Sequence, residues 1–128
     1  MEKEIFIIDD DRIHRLIVSK MVNGIEPSLK ISQCENGEIG LSKLESLRNS
    51  THKIIVFLDI NMPILNGWGF LDEIEKYNFY NLTQLFIYIV SSSTDESDIL
   101  KAKGYGFVKG FFHKPLKREE IRTLISKD

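Results

Sequence analysis

The sequence predicts an α/β fold in which a parallel five-stranded sheet is doubly wound by helices, a (βα)5 pattern. Three observations carry this prediction. Short apolar runs alternate with longer amphipathic stretches along the whole chain. Most of the runs are rich in Ile, Val, Phe or Tyr, which suits strands. Several are apolar at successive positions, as expected of strands buried on both sheet faces.

The first strand is expected at Ile5–Ile8. The spacing of Ile13, Leu16, Ile17 and Met21 then predicts a helix over Arg12–Asn23, with those four residues as its buried face and Asp11 as its N-cap. A second strand at Leu29–Ser32 leads to a helix carrying Leu41, Leu44 and Leu47, capped by Asn36. The third strand is Ile54–Leu58, and its helix starts near Gly67 with Phe70, Leu71 and Ile74 facing inward. The Asn78–Gln84 segment is expected to be a surface loop before the fourth strand, Leu85–Val90. The fourth helix, Thr94–Lys103, has only Ile99, Leu100 and Ala102 to bury, and Ser93-Thr94-Asp95-Glu96 has the form of a capping box. A capped helix with so thin an apolar face suits a movable element. The last strand is Gly110–Phe112, and the last helix runs from about Arg118 with Ile121, Leu124 and Ile125 inward.

The chain has 128 residues, which fits one domain over 1–128 with no separate output module. With 17 basic and 19 acidic residues it has no basic field for direct nucleic-acid binding. Its longest apolar run, Leu85–Val90, is far short of the ~20 residues that span a membrane. The charged start, Met1–Glu4, leads straight into a strand and is not a signal peptide. The one cysteine, Cys34, has no internal disulfide partner and reads as a small buried apolar residue. A cytoplasmic location is expected.

In doubly wound sheets function sits at the carboxyl ends of the strands. Asp9, Asp10 and Asp11 follow the first strand, Asp59 the third, Ser91, Ser92 and Ser93 the fourth, and Lys114 with Pro115 the fifth. Two carboxylates ~4 Å apart repel by about 4 kcal/mol at an effective dielectric of 20, so such a cluster calls for a cation. An all-oxygen donor set points to a hard ion such as Mg2+. Zinc is disfavoured, since Cys34 is alone and His14, His52 and His113 are scattered. His14 and His113 read as neighbours of the site or solvated groups. A carboxylate beside Mg2+ can attack a phosphoryl group to form an acyl phosphate, with the lysine and a serine hydroxyl stabilising its oxygens.

The chain resembles the receiver domain of two-component response regulators. The anchors are Ile5-Phe6-Ile7-Ile8-Asp9-Asp10-Asp11, Phe57-Leu58-Asp59-Ile60-Asn61-Met62-Pro63 with Asn66-Gly67, Ile89-Val90-Ser91-Ser92, and Phe111-Phe112-His113-Lys114-Pro115-Leu116. Each is modest alone, but four in this order and spacing are specific. The resemblance implies a flavodoxin-like strand order, 2-1-3-4-5. It also implies that Asp59 is the phosphoacceptor and that Mg2+, with Mn2+ as a substitute, is held by Asp9, Asp10, Asp59 and the backbone carbonyl of Asn61. Ser91, Ser92 and Lys114 would meet the phosphoryl group, Ser92 by being small where that group passes close. Ser91 and Phe111 would form the switch, and the Lys114–Pro115 bond would be cis. The implied donor is a sensor histidine kinase or a histidine phosphotransfer protein. A downstream protein would read the face of the fourth helix, fifth strand and fifth helix, and a phosphorylation-linked homodimer could form there.

An acidic triplet can be a capping turn, and Asp11 is best read so, but Asp9 and Asp10 stand opposite Asp59 and Lys114. An aromatic in a strand is core by default, and Phe111 has that reading beside the switch role. Trp68 is expected near the acceptor loop, packed or reporting on the site. Two rival functions differ in their marks. A Mg2+-dependent aspartyl-phosphate phosphatase would carry a second acid where Asn61 stands, and a phosphorylation-independent module would lack an acid or the lysine. The Lys103–Gly110 segment and the long Asn78–Gln84 connection depart from the usual receiver pattern.

Overall fold

A computed structural model describes residues 3–47, 51–77 and 84–126. The element order is β1 (Lys3–Ile8), α1 (Arg12–Ile25), β2 (Lys30–Cys34), α2 (Gly37–Glu45), β3 (Lys53–Leu58), α3 (Gly67–Lys76), β4 (Gln84–Ser91), α4 (Glu96–Lys103), β5 (Val108–His113) and α5 (Arg118–Ser126). The strands form one parallel sheet in the order β2-β1-β3-β4-β5. The expected Asn78–Gln84 loop lies, except for Gln84, outside the described residues. No helix among the described residues is long and apolar enough to cross a membrane.

The successive apolar positions in the strands are explained by two cores, one on each sheet face. Phe6, Ile8, Val56, Leu58, Ile87 and Ile89 pack with Leu44, Phe70, Leu71 and Ile74 on the α2–α3 side. Ile5, Ile7, Ile55, Phe57, Tyr88 and Val90 pack with Val18, Val22, Ile121, Leu124 and Ile125 on the α1–α5 side. Adjacent residues of one strand thus serve opposite cores, as strand alternation requires.

Two local expectations are corrected. The buried row of α1 is His14, Val18 and Val22, and of the expected Ile13, Leu16, Ile17 and Met21 only Met21 packs against the same core. Ile13, Leu16 and Ile17 are 69%, 42% and 46% exposed, and Met21 is half-buried. The apolar arc of this helix is wide enough for either row to face inward. Asp11 Oδ1 accepts from the backbone N–H groups of Ile13 and His14 at 3.0 and 3.2 Å, and His14 turns in to bond Asp9. That polar bond sets the rotation.

The second correction concerns α4. Its N-cap is Asp95, which accepts from Ser97 N–H at 2.9 Å, and the helix starts at Glu96. The Ser93–Glu96 capping box does not form. Ser93 Oγ instead donates to Asp98 Oδ2 at 2.6 Å and accepts from Asp95 N–H at 3.2 Å, closing the turn ahead of the helix. The thin face is as expected: Ala102 alone is buried, Ile99 is half-buried and Leu100 is 66% exposed.

The unusual segment after α4 supplies an anchor that the helix itself lacks. Tyr105 stacks on Trp68 of α3 at 6.1 Å between ring centroids, and Lys101 Nζ lies 4.7 Å from the Trp68 ring centroid. Tyr105 Oη donates to Asp72 Oδ1 at 2.7 Å, and the Tyr105 ring meets Phe107 edge-on. Trp68 therefore packs towards α4. Tyr105→Ala is expected to lose about 1–2 kcal/mol, since the stack is half-exposed. It should also speed amide exchange in α4 and red-shift the emission of the single tryptophan. Unchanged α4 exchange would show that the stack does not anchor this helix.

Candidate functional site

Three backbone hydrogen bonds carry the sheet ladder one residue past its strands and set the site. Asp9 N–H donates to Cys34 O, Asp59 N–H to Ile8 O and Lys114 N–H to Ser91 O, each at 2.9 Å. Asp9, Asp59 and Lys114 are thereby held at one level on the carboxyl edge, beside the last residue of β4. The Lys114–Pro115 bond is cis.

Asp9 and Asp59 are buried, Asp10 is exposed, and one carboxylate oxygen from each lies within 4.8 Å of the others. Lys114 Nζ reaches Asp9 Oδ2 at 2.9 Å, Asp9 Oδ1 at 3.1 Å and Asp59 Oδ2 at 3.4 Å. Asn61 N–H donates to Asp59 Oδ1 at 3.2 Å. Asp9 Oδ1 also accepts from Asp11 N–H at 2.9 Å.

The pKa values of the two buried acids are shifted in opposite directions. Burial is the largest influence on Asp9 and works against its charge. The hydrogen bonds from His14, Asp11 N–H and Lys114 outweigh it and hold the carboxyl below its ordinary value. Asp59 is pushed up to about 6, first by burial and then by the charge of Asp9, against the pull of Asn61 N–H and Lys114. Burial disfavours the charge of Lys114, but Asp9 and Asp59 outweigh it and raise its pKa. Three carboxylates facing one ammonium leave the cluster short of positive charge, and at this spacing each carboxylate pair repels by about 3 kcal/mol at a dielectric of 20. An all-oxygen, net-negative donor set with one exposed member fits a hard divalent cation.

The loop that carries Asp59 onward, residues 59–66, is tightly held. Leu65 N–H donates to Pro63 O at 2.9 Å, with Ile64 at the apex at φ 71°. Such a conformation is strained for a β-branched residue, and the side chain is 77% exposed. Gly37 N–H donates to Leu65 O at 3.1 Å, and Gly67 N–H to Ile60 O at 3.1 Å. The loop is thus pinned to the first turns of α2 and α3. Asn66 caps α3 by accepting from Gly69 N–H at 2.9 Å.

The remaining sequence-predicted residues fall around this centre. Ser91 is fully buried, and its Oγ accepts from Ser93 N–H at 3.0 Å. Ser92 is exposed. Phe111 is half-buried on β5, lining the groove between α4 and β5 with Ile99, Ala102 and Val108. Its ring meets the exposed His113 edge-on.

Sequence reasoning gave two groups no role at the site. Of the two readings of His14, neighbour of the site or solvated group, the structure shows the first: it is buried, and its Nδ1 lies 2.8 Å from Asp9 Oδ2. Arg15 Nη1 donates to Asp9 O at 2.6 Å. A usable signal existed for the first. His14, Val18 and Val22 form an i, i+4, i+8 row, and one polar residue in such a row directly after an acidic triplet points to the acids.

The family model described as response regulator receiver domain matches residues 5–126. The hybrid signal transduction histidine kinase L of Dictyostelium discoideum is 28% identical over 125 residues, covering 97% of this chain and 7% of that protein. The nitrate/nitrite response regulator protein NarL of Escherichia coli is 27% identical over 117 residues, covering 91% of this chain and 50% of that protein. The chain therefore spans half or less of the length of these curated relatives. A solved structure of a two-component response regulator from Cytophaga hutchinsonii superposes with a TM-score of 0.84 at 25% identity, covering 97% of this chain and 94% of that one.

Proposed function

The chain belongs to the response regulator receiver domain family, and on that premise we propose that Asp59 accepts a phosphoryl group from a phosphohistidine. The observation that carries this reading is the buried Asp59 carboxylate, which Lys114 Nζ links to the neighbouring Asp9 carboxylate. The donor would be a sensor histidine kinase or a histidine phosphotransfer protein. An Asp59 oxygen forms the new P–O bond, the P–N bond breaks, and its electron pair stays on the donor imidazole. Mg2+, or Mn2+ in its place, held by Asp9, Asp10, Asp59 and the Asn61 carbonyl, would neutralise charge on the transferring group.

The chain's own residues do the rest. Asn61 N–H orients Asp59 Oδ1, leaving the attacking carboxylate little rotational freedom. Lys114 moves its charge from the carboxylates towards the phosphoryl oxygens. Ser91 Oγ now accepts from Ser93 N–H, so its own proton is free to be donated to a phosphoryl oxygen. Ser92 leaves room for that group. As Ser91 is drawn in, the turn it holds before α4 moves, and Phe111 turns inward from the α4–β5 groove. The weakly buried α4 makes the two packings close in energy, so a partner that binds one of them shifts the population. A downstream protein, or a second phosphorylated copy, would read the α4–β5–α5 face. A cytoplasmic location suits this exchange, and the role is that of a switch and not of a turnover enzyme.

Incubation with Mg2+ and a small phosphodonor, followed by intact mass, tests the reading. One added phosphoryl group is expected, absent without the metal and absent in Asp59→Asn. A group that survives Asp59→Asn overturns the acceptor assignment. Partner binding that is indifferent to phosphorylation would instead favour a phosphorylation-independent module.

A further inference from the structure

His14 takes no part in the chemistry described above, yet it is among the few buried polar side chains and it touches two parts of the site. Its Nδ1 lies 2.8 Å from Asp9 Oδ2. Its Nε2 lies 3.5 Å from the backbone nitrogen of Leu116, two residues past Lys114. We propose that His14 is a positioning residue for the cation site, tying the Asp9 carboxylate to the turn that carries Lys114. The proposal rests on the metal reading given above.

The two contacts assign the imidazole. Leu116 N–H can only donate, so Nε2 faces it as an acceptor. The ring proton then sits on Nδ1 and is donated to Asp9 Oδ2. Oδ2 also receives Lys114 Nζ at 2.9 Å, while Oδ1 receives Asp11 N–H at 2.9 Å and Lys114 Nζ at 3.1 Å. Lys114 alone among these partners spans both oxygens, and in the proposed function it must leave for the phosphoryl group. Once it moves, His14 and Asp11 N–H are the donors that keep the carboxylate plane from turning. The imidazole is itself locked, since its helix row continues as Val18 and Val22 into the α1–α5 core. Groups that donate to a metal-binding carboxylate in this way typically change metal affinity by about 10–100-fold when removed.

Three measurements on the full chain test the proposal. Nitrogen-15 NMR of the metal-free protein should find the Nδ1–H tautomer for His14, and the Nε2–H tautomer overturns the assignment. Mn2+ alone, titrated with electron paramagnetic resonance detection, should bind His14→Leu about 10-fold more weakly than the wild type. His14→Asn places an amide N–H the same number of bonds from the backbone as Nδ1, so it should restore affinity to within about 3-fold of the wild type. His14→Leu binding as tightly as the wild type, or His14→Asn binding as weakly as His14→Leu, overturns the proposal. If His14→Leu does not fold, the Asn variant and the tautomer still decide. A wild-type chain that takes up no Mn2+ overturns the metal reading itself, which separates that failure from a failure of the His14 assignment alone.

Discussion

Asp59→Asn is expected to raise the melting temperature of the metal-free protein while abolishing phosphoryl acceptance. The loss of acceptance follows from removing the attacking oxygen. The gain in stability follows from electrostatics. The folded chain holds the Asp59 carboxyl at about 6 against an ordinary value of 3.8, because ionisation there is opposed by burial and by Asp9. A group whose folded pKa is raised contributes stability that is fully present below the unfolded value and lost as pH rises through the folded one. In the metal-free wild type that loss falls between pH 3.8 and about 6. The full shift corresponds to ~3 kcal/mol, and water at the open rim beside Asp10 screens it to about 2 kcal/mol at pH 7.

The amide carries no charge, so Asp59→Asn should recover that amount, roughly 6–10 °C in Tm for a domain of this size. Asp9, whose pKa is lowered, acts oppositely and only below its ordinary value, so it does not mask the effect. Thermal scans from pH 4 to pH 8 should show the two proteins diverging as pH rises. Mg2+ should close the gap, because the cation offsets the same repulsion in the wild type. Equal melting temperatures at pH 7 without metal would remove the case for a charge-strained acceptor site.

Gly67→Ala is expected to destabilise the fold by about 2–4 kcal/mol and to slow phosphoryl acceptance along with it. A Cβ on Gly67 would meet Ile60 Cα at 2.6 Å and Asp59 O at 2.7 Å. Both are backbone atoms of the acceptor loop and cannot swing aside as a side-chain tip can. The Gly67 N–H···Ile60 O bond at 3.1 Å depends on the same close approach. Relief therefore requires moving the residues that aim Asp59. Gly106→Ala is the matched control: nothing lies within 4 Å of its added Cβ, and no glycine of the described residues has a positive φ. That change should be neutral or stabilise by about 0.4–1 kcal/mol. Urea denaturation of both variants, read beside phosphorylation rates, separates the outcomes. A Gly67→Ala protein as stable as Gly106→Ala would show that the acceptor loop is softer than its contacts imply.

Much of this architecture was legible because strands and caps are local. The runs at Ile5–Ile8 and Ile54–Leu58 announce doubly buried strands by being apolar at every position, and Asp11, Asn36 and Gly67 mark helix starts by short-range chemistry. The acidic site was legible for a related reason. Parallel strands end on one edge, so Asp9, Asp59, Ser91 and Lys114 converge once the strand assignments are right. Two local signals misled. Ser93-x-x-Glu96 has the form of a capping box, but Ser93 was captured by Asp98 and the helix began two residues past the expected start. In α1 both apolar rows satisfied helical periodicity, so periodicity alone could not choose between them.

The sequence by itself determined the strand–helix order, the two-sided burial and the identity of the charged residues at the sheet edge, since these depend on residue type and spacing along the chain. Only the tertiary structure decided which way α1 is rotated, that His14 bonds Asp9, that Tyr105 clamps α4 to Trp68, and that the pKa values of Asp59 and Asp9 shift in opposite directions. The physical reason is common to all four. Each depends on distances of a few ångströms between side chains in the folded chain, where burial and hydrogen bonding act and which helical or strand periodicity does not specify.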